Sequence, residues 1–344
     1  MLRDTNARYS GTGRTVSSRG VEEVPPVNLG RLRDPALYQA TPALRDAVNV
    51  ALTLSMPLLI TGPPGCGKTD LAASIAYELE LEEEIFIAKT TSVASDLLYT
   101  FDALLKLQDG QANERDWPLH RYLRFGPLGR AILRAMPKKT RAAGNGKNVL
   151  PPSLLNADQV QTVVLIDEID KAPRDFPNDL LDEIENLRFT VVEGAEPITF
   201  SAKDTVKPPI IIITSNAERE LPKAFMRRCA YFDITPATRD DLQRIITEKL
   251  SEPAALGTWA LDVLEQLRTE SLENQPSTAE FLRWVKYLQA QQANIAGHQD
   301  PSGAAAMLHR SLIVLLKNPE DQDRAKVILE TNPFMQAMLQ FETK

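Results

Sequence analysis

Cysteine and histidine are scarce in this chain of 344 residues: two of the first, Cys66 and Cys229, and three of the second, His120, His298 and His309. Two cysteines cannot build a disulfide framework, which fits a reducing compartment. The histidines are scattered with no metal-ligand spacing, so no zinc-type centre is expected. No apolar run approaches a membrane span and nothing resembles a signal peptide, so the chain is expected to be cytoplasmic, with no part in a membrane. Positive charge is short as well. With 39 Lys and Arg against 46 Asp and Glu, the net charge is -7, which argues against nucleic-acid binding through the overall field. What remains is an ordinary soluble balance, 43% hydrophobic and 25% charged, with length for one large and one small domain.

Against this background one run stands out: Gly62-Pro63-Pro64-Gly65-Cys66-Gly67-Lys68-Thr69, followed by Asp70. The preceding Pro57-Leu58-Leu59-Ile60 reads as a buried strand, and Leu71, Ile75 and Leu79 have helical spacing, so the run joins a strand to a helix start. Its glycines let backbone N–H groups turn inward around a polyphosphate, and the positive end of the helix adds to the same anion site. Lys68 is expected to bridge the outer phosphates and the Thr69 hydroxyl to hold Mg²⁺. Cys66, at the helix N-terminus, is expected to have a lowered thiol pKa and a possible redox role; the plainer reading is a small residue that the loop tolerates.

About a hundred residues on, Thr162-Val163-Val164-Leu165-Ile166-Asp167-Glu168 is an apolar strand that ends in two carboxylates. A continuous apolar run belongs in the middle of a parallel sheet. Asp167 can hold the water shell of Mg²⁺, and Glu168 can polarise a water for attack on the γ-phosphate.

Residues 1–25, with Arg3, Arg8, Arg14 and Arg19, read as a mobile tail. From 26 to 236, strands at 85–88, 162–167, 209–214 and 231–234 join the first in a five-stranded parallel α/β sheet. Residues 95–136 read as mainly helical, and a helix is expected from Glu168 to about Leu187. The stretch 137–152, with Lys138, Lys139, Arg141 and Lys147, reads as a basic, flexible surface loop. Residues 189–200 have a hairpin signature around Glu193-Gly194-Ala195-Glu196-Pro197. Residues 237–344 read as all helical, with Ser277 and Glu280 at capping-box spacing.

With these motifs in place, the chain resembles an AAA+ ATPase, and more narrowly a MoxR-like one. The likeness rests on 62–69, on Val164-Leu165-Ile166-Asp167-Glu168-Ile169-Asp170-Lys171-Ala172-Pro173, and on the run from Ile212 to Cys229. It implies a P-loop αβα sandwich with an all-α lid, ATP and Mg²⁺ as ligands, and a ring, six-membered by expectation. It also implies that Asn216 senses the γ-phosphate and that an arginine finger reaches the neighbouring subunit; Arg228 fits that position best, with Arg227 beside it. The elements near Phe125-Gly126-Pro127-Leu128 and at 189–200 match insertions that face the pore or a partner in relatives. Pro276-Ser277-Thr278-Ala279-Glu280 lacks the arginine that relatives carry at the start of a lid helix; Arg283 follows one turn later. The leading expectation is a ring ATPase that remodels or helps assemble a partner protein, a separate von Willebrand A domain protein being the natural candidate. Two other readings are a slow ATP-gated scaffold in a signalling or defence assembly and, resting on the 137–152 loop alone, a nucleic-acid motor.

Overall fold

Three uninterrupted apolar runs and two mixed ones make a single sheet. The computed structural model describes residues 29–111, 117–143, 146–194, 196–250, 254–297 and 301–331. The arginines of the expected tail, Gly144 and Asn145 of the basic stretch, Ala195 of the hairpin, and the chain beyond Thr331 lie outside the described residues. Strands β1 (Leu58–Thr61), β2 (Glu82–Ile87), β3 (Thr162–Asp167), β4 (Ile210–Thr214) and β5 (Ala230–Asp233) pair in parallel in the order β2-β3-β4-β1-β5.

Position follows composition. β1, β3 and β4 are buried along almost their whole length and take the middle, where both faces are covered. β2 and β5 alternate with exposed residues and take the edges. The register sets Ile87 beside Asp167, Ile166 beside Ile213, and Ile60 beside Thr214. The C-terminal ends therefore finish level, and a crevice opens outside them.

Helices α1 (Pro42–Leu54) and α2 (Lys68–Glu78) cover one face, packing Leu44, Leu71 and Ile75 against Leu58, Ile60, Val163 and Ile212. Helix α3 (Pro127–Ala135) covers the other, with Leu128, Ile132 and Leu133 against Leu59, Val164 and Ile213. A Cβ at Gly126, just before α3, would overlap the Asp96 carbonyl, so only glycine lets α3 pack this close. Five longer helices follow: α4 (Arg239–Leu250), α5 (Ala254–Thr269), α6 (Thr278–Gly297), α7 (Pro301–Leu315) and α8 (Pro319–Thr331). They share their own core, which includes Trp259, Phe281, Trp284 and Leu312. The Trp284 indole N–H donates to Ser311 Oγ at 2.8 Å, so the buried ring leaves no polar atom unpaired. The fold is an αβα sandwich followed by a helical lid.

Three stretches differ from expectation. Within 95–136, Tyr99–Phe101 pairs antiparallel with Leu123–Phe125, and the helix Ala103–Gln111 lies between them. Strands of three residues are too short to show a period; contacts such as Tyr99–Phe125 and Phe101–Tyr122 hold the pair instead. The helix expected after Glu168 is broken into a 3₁₀ turn, Ile169–Lys171, and helices Phe176–Asp179 and Leu181–Asn186. Pro173 and Pro177 each withhold an N–H and so interrupt continuous helix. The hairpin forms, with Arg188–Val191 against Ile198–Ser201.

The third correction concerns 137–152, which is not a flexible surface loop. It holds short helices at Lys138–Arg141, Gly146–Val149 and Pro152–Leu155. Arg141 is fully buried, and its guanidinium donates to the Leu154 carbonyl at 2.7 Å and to the Ala157 carbonyl. Lys138, Lys139 and Lys147 remain exposed. Arg141→Ala would strand two carbonyls and leave a void, and is expected to cost about 3 kcal/mol of stability. Denaturant midpoints test this; a loss below about 0.5 kcal/mol, the scale of an ordinary surface substitution, would remove Arg141 from the core.

Candidate active site

The crevice is built first by backbone. Between β1 and α2 the chain turns through residues 62–67, with Gly65 at φ 74° and Gly67 at φ 94°, a region that favours glycine. Gly67 occupies the N-cap of α2, where no side chain caps the first turn, so its N–H groups stay open to an anion. A Cβ on Gly65 would come within 2.6 Å of Ser277 Oγ, because the start of α6 rests on the loop. There Ser277 and Glu280 form the expected capping box: Glu280 N–H donates to Ser277 Oγ at 3.3 Å and Ser277 N–H to Glu280 Oε2 at 3.0 Å. Ala279 N–H donates to the Gly65 carbonyl at 3.1 Å.

Side chains then converge. Lys68 is 6% exposed and donates from Nζ to the carbonyls of Gly62 (2.7 Å) and Pro63 (3.0 Å), bracing the turn from inside. Thr69 Oγ1 donates to Asp167 Oδ1 at 3.0 Å across the gap between α2 and β3. Asp167 Oδ1 also accepts from Thr214 Oγ1 at 2.6 Å. Glu168 has left-handed backbone, φ 56°, and its N–H donates to the same Thr214 hydroxyl at 2.9 Å. That turn separates the two carboxylates. Glu168 Oε1 accepts from Asn216 Nδ2 at 3.4 Å, and Oε2 accepts from Lys171 Nζ at 2.7 Å. The Glu168 carboxylate raises the Lys171 pKa and keeps that cation charged.

The structure thus gathers Lys68, Thr69, Asp167, Glu168 and Asn216 at one mouth, with Pro64, Cys66 and Asp70 on the lining. It does not bring Arg228 there. Arg228 Nε donates to Glu185 Oε2 at 2.7 Å and Nη1 to the Ala224 carbonyl at 3.0 Å, and neither Arg228 nor the exposed Arg227 lines the cleft of its own subunit. The expected lowering of the Cys66 thiol is overturned: burial pushes its pKa up, and the neighbouring Lys68 only partly offsets this. Burial likewise pushes Cys229 up to about 12.

The cleft, about 850 Å³, extends past the loop to an apolar end formed by Leu32, Ile245 and Leu282. A volume of this order suits a nucleotide-sized ligand, with a polar end for phosphates and an apolar end for a planar base. Several lining residues escape sequence reasoning. Tyr38 lies over the loop, 3.3 Å from where a Gly67 Cβ would be, and its burial raises the hydroxyl pKa. Lys249, buried in α4, donates to the Leu32 carbonyl at 2.5 Å, and burial lowers its pKa. Neither has a local motif; each reaches the cleft only through tertiary packing. Thr214 has a usable signal, since it lies inside the run from Ile212 to Cys229, as does Lys171, outside the lining, in the run 164–173. Arg283 lines the cleft from α6.

The donor set fits Mg²⁺. A hydroxyl and a carboxylate are hard oxygen ligands, and Mg²⁺ bound through one or two protein oxygens leaves the rest of its shell to water and phosphate. Among the described residues no cluster of three or more His, Cys, Asp or Glu could hold a metal by itself. No helix among the described residues is long and apolar enough to cross a membrane.

Comparison with known proteins gives one family. A model of the AAA domain, dynein-related subfamily, matches residues 57–229. No curated protein matches the chain. Two RuvB variants of Thermotoga maritima are similar in structure, each at 14% identity and a TM-score of 0.43. The alignments cover 84% of this chain and 68% of the RuvB chain in one case, and 90% and 75% in the other.

Proposed function

Since the chain belongs to the AAA domain family, dynein-related subfamily, we propose that it is a Mg²⁺-dependent ATPase of MoxR-like type. Its subunits form a ring, six-membered by expectation, that remodels or helps assemble a separate partner protein, a von Willebrand A domain protein being the leading candidate. AAA domains hydrolyse ATP in general; the finer assignment is our own. The observation that carries it is the Glu168 carboxylate, within 3.4 Å of the Asn216 amide and beside the Thr69–Asp167 pair.

In this reading the N–H groups of the loop and the Lys68 ammonium bind the phosphates. Thr69 and Asp167 would hold the Mg²⁺, which neutralises charge on the phosphate oxygens. Glu168 accepts a proton from the attacking water through the oxygen that faces Asn216, while the Asn216 carboxamide orients that water. The water oxygen bonds to the γ-phosphorus as the bond to the β–γ bridging oxygen breaks, giving ADP and phosphate. Arg228 is absent from its own subunit's cleft, and as a finger it would act in the neighbour's site.

Turnover per protomer should rise steeply with protein concentration to a plateau, in step with particle mass. Arg228→Ala should lower the plateau about 10³-fold while ATP still binds. A concentration-independent rate from particles of monomer mass would sink the ring. One observation favours a second reading, a slow ATP-gated scaffold: the Lys171 ion pair engages the Glu168 oxygen not facing Asn216, and Arg228 is engaged by Glu185 of its own chain. ATP-dependent assembly with only slow turnover would select it. The nucleic-acid motor loses support, because Arg141 of the basic stretch is a core residue.

A further inference from the structure

Asn216 can act on a water beside Glu168 only if the turn that carries it is fixed, and that turn is not fixed by the sheet. β4 ends at Thr214. Beyond Ser215, whose N–H donates to the Ile60 carbonyl at 3.0 Å, the chain leaves the ladder and passes through Ala217 in left-handed conformation, φ 57°. For a residue with a Cβ this is an unfavourable state that the surroundings must hold in place.

The holding groups are side chains. Ala217 N–H donates to Ser215 Oγ at 3.0 Å. The N–H groups on either side, of Asn216 and Glu218, both donate to Asp170 Oδ2, at 3.1 and 3.0 Å. The amides thus close as a small nest on one carboxylate oxygen. Asp170 is 3% exposed, and it sits in the 3₁₀ turn two residues after Glu168. One turn therefore carries the carboxylate proposed to take the proton and also the carboxylate that grips the backbone of its partner. The other Asp170 oxygen, Oδ1, has no hydrogen-bond partner among the described residues. A buried carboxylate with a free oxygen is an expensive way to stabilise a turn.

We propose that Asp170 is a positioning residue for hydrolysis: it locks the Asn216 turn to the Glu168 turn so that both side chains address the same water. The inference rests on the ATPase reading. Misplacement of a reacting or orienting group by about 1 Å costs on the order of 100-fold in rate, and loss of a supporting hydrogen bond about 10–100-fold.

The test is a kinetic double-mutant cycle on the full chain with Mg²⁺ and ATP. Asp170→Ala is expected to lower kcat about 10–100-fold with the Kd for ATP held within about threefold. Asp170→Asn, which keeps an oxygen for both amides, should recover most of the rate. In an Asn216→Ala background, Asp170→Ala should cost no further kcat, because nothing remains to be positioned. Should Asp170→Ala fold too poorly to assay, Asp170→Glu serves instead. It keeps the charge but displaces the turn by a methylene, and kcat should fall about tenfold with affinity retained. Independent losses in the cycle, or kcat and ATP affinity falling together, would overturn the positioning role and leave Asp170 a stabiliser of the fold. Turnover that neither variant changes would overturn it as well. Absence of turnover in the unsubstituted chain would instead overturn the ATPase reading, and this inference with it.

Discussion

Lys68→Ala is expected to abolish useful nucleotide binding, weakening the Kd for ATP by at least about 100-fold, equivalent to about 2.7 kcal/mol. Two losses combine. The only ammonium reaching the inside of the phosphate loop disappears, among the described residues lining the cleft near it, and a charge-assisted contact to phosphate is worth roughly twice a neutral one. In the structure Lys68 also ties the Gly62 and Pro63 carbonyls together, so its removal slackens the turn that presents the N–H groups. Lys68→Arg separates the two: it restores charge but is too bulky and planar for the same pair of carbonyls, and should recover only part of the affinity. Titration calorimetry with ATP in Mg²⁺ reads both variants. A Kd for Lys68→Ala within about threefold of the unsubstituted chain would remove the loop from the binding site.

Glu168→Gln should have the opposite profile: ATP affinity retained and hydrolysis slowed about 10²- to 10⁴-fold, the range for loss of a general base. Glutamine matches the shape of glutamate and can still accept from Asn216, so geometry survives while proton acceptance does not. It also breaks the ion pair with Lys171 and frees that half-buried ammonium beside residue 168. ATP should then persist on the protein, and the assembled form should accumulate. Single-turnover hydrolysis read beside particle mass tests this; wild-type turnover would take Glu168 out of the chemistry.

Much of the candidate site is legible in the sequence. Gly62 to Thr69 and Asp167-Glu168 are contiguous, and contiguous chemistry is what a sequence displays directly. The middle of the sheet was readable too, since Val163 to Ile166 and Ile210 to Ile213 could be apolar throughout only if both faces are covered. What stayed hidden is of two kinds. Short elements stabilised by side-chain pairs, such as Tyr99–Phe101 with Leu123–Phe125, carry no period. Residues that meet only by folding carry no motif: Tyr38 over Gly67, Lys249 against Leu32, and Thr214 bridging Asp167 and Glu168. Arg141 failed for a third reason, because a surface-seeking residue type was recruited to satisfy buried carbonyls.

The contact between Ala279 and Gly65 has a consequence for signalling. This lid begins without an arginine, yet its first turn is hydrogen-bonded to a carbonyl of the loop proposed to wrap phosphate. Any rotation of the Gly65 peptide on filling or emptying of the loop must pull on α6 or break that bond. The helical lid is therefore wired to the loop by main chain, a connection indifferent to side-chain identity along α6 and vulnerable at one place, the glycine whose missing Cβ lets Ser277 approach.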